Sequence, residues 1–179
     1  MSVKPIAVTL LSIAALAGCE SAPGGNDLAI GEVGPVVAPA EQALAASCAG
    51  NAAAQQQMAD AVNAARAAEG KTVLASSDQL VQIAQSHACD MAATGRATVA
   101  GSNGSNVVDR ARAAGYPTCG VAQLISVGGQ PGGVVASWLR SEPQRVELLG
   151  QLSDEVGAGV AQGPDGRMWW SVVLGNDCA

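Results

Sequence analysis

Along residues 55–174 the spacing of apolar positions changes several times, and each change predicts an element. Gln55 to Glu69 carries Met58, Ala61, Val62 and Ala65 at helical spacing, and Gly70 stops the run. Ser77-Asp78 opens a second helix, with Leu80, Ala84, His87 and Met91 along one stripe and Gly95 at its end. Gly101-Ser102-Asn103-Gly104-Ser105-Asn106 reads as a loop, and Val107 to Ala114 as a short third helix closed by Gly115. Val121 to Val127 alternates and predicts a strand. Pro131 to Leu139, with Val134, Val135, Trp138 and Leu139, predicts a fourth helix, and Pro143 to Leu149 a further short one. Val156 to Ala161 and Met168 to Leu174 are strands joined through Gly163-Pro164-Asp165-Gly166, a hairpin signal. Helices precede the final hairpin, so the expected class is α+β.

The start of the chain follows a different pattern. Ile6 to Ala17 is an apolar run of about twelve residues, short for a bilayer span and typical of a signal-peptide core. It ends in Leu16-Ala17-Gly18-Cys19, which resembles a bacterial lipobox; the thiol of Cys19 is then the atom that receives the diacylglycerol. On this reading 1–18 is a lipoprotein signal peptide and the membrane partner is reached through lipid rather than a protein span. Glu20 follows the anchor rather than Asp, which favours the outer over the inner membrane, facing the periplasm. Residues 19–47 are rich in Gly, Pro and Ala with no surviving period, and read as a flexible tether. The folded domain is expected over 48–179.

Composition narrows the function. Apolar residues make up 49 % of the 179, but aromatics only 2 %, so the core must be built largely from Ala, Val and Leu. A formal charge of −6 would repel a phosphate backbone, which excludes nucleic acid as a partner. Besides Cys19, Cys48, Cys89, Cys119 and Cys178 remain, an even number that in an exported domain predicts two disulfides with three possible connectivities. Cys48 and Cys178 bracket the domain and suggest a clasp of its ends, which leaves Cys89–Cys119. No Cys-x-x-Cys pair exists and His87 is the only histidine, so no structural zinc is expected.

The ordered set of segments resembles a family. Asn63-Ala64-Ala65-Arg66, Leu74, Leu80 and Ala84 through His87-Ala88-Cys89-Asp90-Met91-Ala92 look like the opening helices of bacterial CAP domains, the superfamily of cysteine-rich secretory, antigen 5 and pathogenesis-related proteins. Gly104, Asp109-Arg110 and Ala114-Gly115-Tyr116 match the loop and short helix that follow. Val134 to Ser141 matches the helix with a buried Trp, and Val156-Gly157-Ala158-Gly159-Val160 the strand after it. The resemblance implies an α-β-α sandwich with a small antiparallel sheet between helical layers.

It also implies a cleft of two histidines and acidic residues able to hold a divalent metal, and here the chain departs from the pattern. Val99 in Thr98-Val99-Ala100-Gly101 occupies one His position, Gln123 the Glu position and Gln144 the second His position. Val99 offers no lone pair, and neutral amides neither act as general bases nor offset the dehydration of an ion. These are expected to be degenerate cleft positions, with no metal and no cofactor. His87 is the single titratable group suited to proton transfer near neutrality, yet it falls on the inward stripe of its helix, where a hydrogen-bonded structural role is expected. A Ser86-His87-Asp90 relay fails because all three are helical neighbours and no nucleophile turn is present. The expected function is that of a lipid-anchored, non-catalytic envelope module binding a protein, glycan or lipid. The rival is an envelope hydrolase using His87 and nearby carboxylates.

Overall fold

The computed structural model describes residues 44, 46–117 and 119–178. The signal segment, Cys19 and most of the expected tether lie outside the described residues. The element order is α1 (Ala52–Ala68), β1 (Ala75–Ser76), α2 (Asp78–Thr94), α3 (Val107–Ala113), β2 (Val121–Val127), α4 (Pro131–Arg140), α5 (Glu142–Leu148), β3 (Glu155–Gln162) and β4 (Met168–Gly175). Among the described residues no helix is long and apolar enough to cross a membrane.

Local chemistry sets the helix ends. The Asn51 side chain accepts from the Ala54 N–H at 3.0 Å and caps α1. Asn106 and Asp109 close a reciprocal capping box at the start of α3. Gly95 terminates α2 in the left-handed region at φ 66°, a conformation that penalises a side chain. Pro131 begins α4, where its missing N–H costs nothing.

The four strands lie in the order β1-β3-β4-β2. β3 and β4 form the antiparallel hairpin, Gln162 opposite Met168, and β2 pairs antiparallel with the other edge of β4, Val121 opposite Gly175. The two residues of β1 run parallel to β3, an element too short to leave a period in the sequence. Strand alternation divides the core between the two faces of the sheet. Val156, Ala158 and Val160 of β3 and Trp170, Val172 and Leu174 of β4 meet Met58, Val62, Val134, Trp138 and Leu148 of α1, α4 and α5. On the opposite face Val173 packs with Leu80, Ile83 and Ala84, and Trp169 with Ala88 and Met91. The result is the expected α-β-α sandwich. Trp169 and Trp170 point to opposite faces, and both are core residues at 3 % and 2 % exposure.

Gly157 and Gly159 let α2 lie directly on β3. A Cβ at Gly157 would sit 2.1 Å from the Leu80 carbonyl carbon, and one at Gly159 2.2 Å from that of Ala84. On the other layer the buried Arg66 guanidinium donates to Thr72 O, Leu148 O and Gly150 O, tying the end of α1 to the end of α5.

The cysteines pair as Cys48–Cys89 and Cys119–Cys178, with Cα–Cα distances of 5.6 and 5.7 Å. This corrects the expected Cys48–Cys178 and Cys89–Cys119. Sheet register supplies the reason: β4 runs antiparallel beside β2, and Asn176 N–H extends that ladder to Gly120 O, which carries Cys178 to Cys119. The other end of the domain belongs to a different layer. Leu44 and Ala46 pack against the α2 side and Ser86 Oγ donates to Ala46 O at 2.9 Å, so Cys48 arrives at α2. Leu44 and Ala46, ahead of Cys48 in the chain, cover apolar surface on this side of the sheet.

Candidate functional site

Apart from Arg66, the domain holds a second buried guanidinium, that of Arg110, and several buried polar side chains gather around it. Capping of α3 by Asn106 sets that helix so that Arg110, only 1 % exposed, points inward beneath the 98–105 segment. Its Nη1 donates to Ser105 O and Oγ at 3.0 and 3.1 Å. Its Nη2 donates to Val99 O at 2.8 Å and Gln123 Oε1 at 2.6 Å, and Gln123 Nε2 in turn donates to Ser171 Oγ at 2.9 Å. Each of these acceptors is neutral. No carboxylate among the described residues comes within ion-pair distance of Arg110, and its Nε has no partner among them. Burial lowers the guanidinium to about 10, against the raising influence of Asp90 and Asp109, so it stays charged at neutral pH.

α2 supplies the facing wall. His87 is 1 % exposed and its Nε2 lies 2.7 Å from Thr98 O. A carbonyl can only accept, so Nε2 carries the proton and Nδ1 is left as a bare lone pair with no partner among the described residues. Burial first, then the charge of Arg110, pushes the imidazole down to about 4, opposed by the Thr98 bond and Asp90. One turn on, the Asp90 carboxylate accepts from Ser102 N–H at 2.8 Å and from Ser102 Oγ. Between these groups lies a cavity of about 80 Å³, bounded by Ala46, Ser86, His87, Asp90, Ser102 and Arg110. It has room for a few waters or one small polar group. Among the described residues no cluster of three or more His, Cys, Asp or Glu could hold a metal ion.

The structure sorts the residues singled out above. Val99 and Gln123 do meet, at Arg110 Nη2, but Val99 contributes its carbonyl while its side chain is 50 % exposed. Gln144 is half-buried on α5, and no hydrogen bond joins it to the other two. Ser86 turns to Ala46 rather than to His87, so Ser86, His87 and Asp90 form no relay. Reading the sequence missed the part played by Arg110, although a basic residue inside a short amphipathic helix that ends in Ala114-Gly115 was a visible signal.

Comparison with known proteins decides the family. The model of the family described as CAP, cysteine-rich secretory protein family, matches residues 59–174. The chain belongs to that family. Similar solved structures agree on the CAP fold. An extracellular protein containing a SCP domain from Bacillus anthracis is 21 % identical with a TM-score of 0.62, covering 69 % of this chain and 40 % of its own. An outer surface protein of Borrelia burgdorferi is 18 % identical with a TM-score of 0.61, covering 68 % and 91 %. A cysteine-rich secretory protein of Staphylococcus aureus is 18 % identical with a TM-score of 0.57, covering 70 % and 39 %. The chain thus spans about two fifths of the Bacillus and Staphylococcus proteins. Comparison with curated proteins returned no match.

Proposed function

We propose that this chain is a lipid-anchored protein of the bacterial cell envelope whose CAP domain binds an envelope component without catalysing a reaction. The state of His87 carries this reading. Proton transfer needs a ring nitrogen within reach of substrate and a pKa near the working pH. His87 is buried, its Nε2 is engaged by Thr98, and its pKa is pushed down to about 4. The nearest carboxylate, Asp90, is occupied by Ser102. The free Nδ1 of His87 is thus shut away from solvent and weakly basic, and Asp90 is already held by Ser102. Val99, Gln123 and Gln144 add no imidazole or carboxylate for a cation.

Anchoring rests on Leu16-Ala17-Gly18-Cys19, and placement in the outer membrane on Glu20. The extracellular and outer-surface descriptions of two structural neighbours support export. The partners are then the membrane, through lipid, and an envelope protein, glycan or lipid at the domain. Zinc titration of the wild-type melting temperature tests the non-catalytic reading: no shift is expected, whereas a native site would raise it by mass action. A clear rise would restore the hydrolase. Intact-mass analysis tests the anchor, with a diacylglyceryl-modified Cys19 expected and Cys19→Ser released from the membrane fraction. An unmodified soluble wild-type chain would overturn it.

A further inference from the structure

The chain entering the domain lines the His87 cavity through Ala46, and among the described residues no backbone ladder ties it to α2. Ala46 lines the cavity, and residues 46–50 join no helix or strand. Among the described residues their fastenings to α2 are the Ser86–Ala46 hydrogen bond, a long one of 3.6 Å from Gln85 Nε2 to Cys48 Sγ, the apolar contacts of Leu44 and Ala46, and Cys48–Cys89. Cys89 lies two residues beyond His87 on the same helix and is 3 % exposed, whereas Cys48 is exposed. The other disulfide is placed differently: beside Cys119–Cys178 the β2–β4 ladder continues to Asn176 and Gly120, so backbone bonds hold that junction independently of the sulfurs.

We propose that Cys48–Cys89 is a thiol-sensitive clasp, whose reduction releases residues 46–48 from α2 and opens the cavity at His87. The reductant is a dithiol. Its thiolate attacks the accessible Sγ of Cys48, forming a mixed disulfide and expelling Cys89 as a thiolate that takes a proton; the second thiol of the dithiol then displaces Cys48. Overall the dithiol becomes a disulfide, and two electrons and two protons pass to Cys48 and Cys89. The sheet contact of α2 survives this step, because Gly157 and Gly159 seat the helix and Gln85 stays bonded to Val160 through both backbone groups and to Gln55. Opening exposes an unpartnered imidazole lone pair beside the unpartnered Nε of Arg110. The inference does not depend on lipid at Cys19.

Because His87 is the only histidine, its carbethoxylation by diethyl pyrocarbonate is read without ambiguity on a single peptide. The full chain in detergent is compared as oxidised wild type, as Cys48→Ser with Cys89→Ser, and as Cys119→Ser with Cys178→Ser. The first pair should modify on the order of tenfold faster or more at unchanged far-UV circular dichroism, as local opening demands, and the second at the wild-type rate. Brief dithiothreitol treatment of wild type, trapped with iodoacetamide, should alkylate Cys48 and Cys89 before Cys119 and Cys178. An unchanged His87 rate in the first pair overturns the clasp. So does a rise that appears only together with loss of secondary structure, or alkylation that begins at Cys119 and Cys178.

Discussion

Acidification should destabilise this domain through one buried residue, His87. His87 is neutral in the fold, with its pKa lowered from 6.5 to about 4, so protons bind the unfolded chain more tightly. Its contribution is fully present above pH 6.5 and is lost as pH falls towards 4. The full difference is worth about 3 kcal/mol, and roughly 2.5 kcal/mol of it is gone by pH 4.5. That is a large share of the ~5–15 kcal/mol by which domains are stable. The cause is visible: a ring at 1 % exposure, facing Arg110, with Asp90 engaged by Ser102. His87→Gln keeps an N–H for Thr98 O and cannot titrate. Urea midpoints of wild type and variant, measured from pH 7.5 to 4.5, should therefore converge as the wild type loses stability and the variant does not. The imidazole Cε1 proton of the folded wild type should show no titration step near 6.5. Equal pH slopes in the two proteins, or a folded-state step near 6.5, would refute the reasoning.

Other substitutions probe the packing. Gly159→Ala places a methyl 2.2 Å from the α2 backbone and should cost about 3 kcal/mol or more, whereas Gly133→Ala, in open space on α4, should gain about 0.5–1 kcal/mol; thermal unfolding compares them. Gln123→Glu gives the buried Arg110 charge a carboxylate where an amide stands 2.6 Å away, and should raise stability at pH 7 by about 1–2 kcal/mol. That gain should vanish as pH falls through the depressed pKa of the new glutamate, and a loss at pH 7 would contradict the picture of an uncompensated guanidinium. Non-reducing peptide maps should yield Cys48–Cys89 and Cys119–Cys178. Deleting the second, whose sequence separation is 59, should cost up to about 4 kcal/mol in urea unfolding.

Local information was enough wherever one element's own residues decide the outcome. The stripe of Leu80, Ala84, His87 and Met91 and the stop at Gly95 defined α2, because a 3.6-residue period and a left-handed cap are properties of a single segment. Val121–Val127 and the Gly163–Gly166 turn were legible for the same reason, as was the inward placement of His87. Other features depend on where distant segments return. β1 exists because Ala75 and Ser76 meet Glu155 and Val156, and two residues carry no period of their own. Arg110 became the centre of the polar site only when the 98–105 segment and β2 brought Val99, Ser105 and Gln123 to it. Disulfide connectivity belongs with these. Four cysteines in a line suit three pairings equally, and what separates them is the antiparallel register of β2 with β4 and the return of the entering chain across α2. Periodicity records which face of an element is apolar; which element covers that face, and which sulfur lies beside it, is settled only when the layers close on one another.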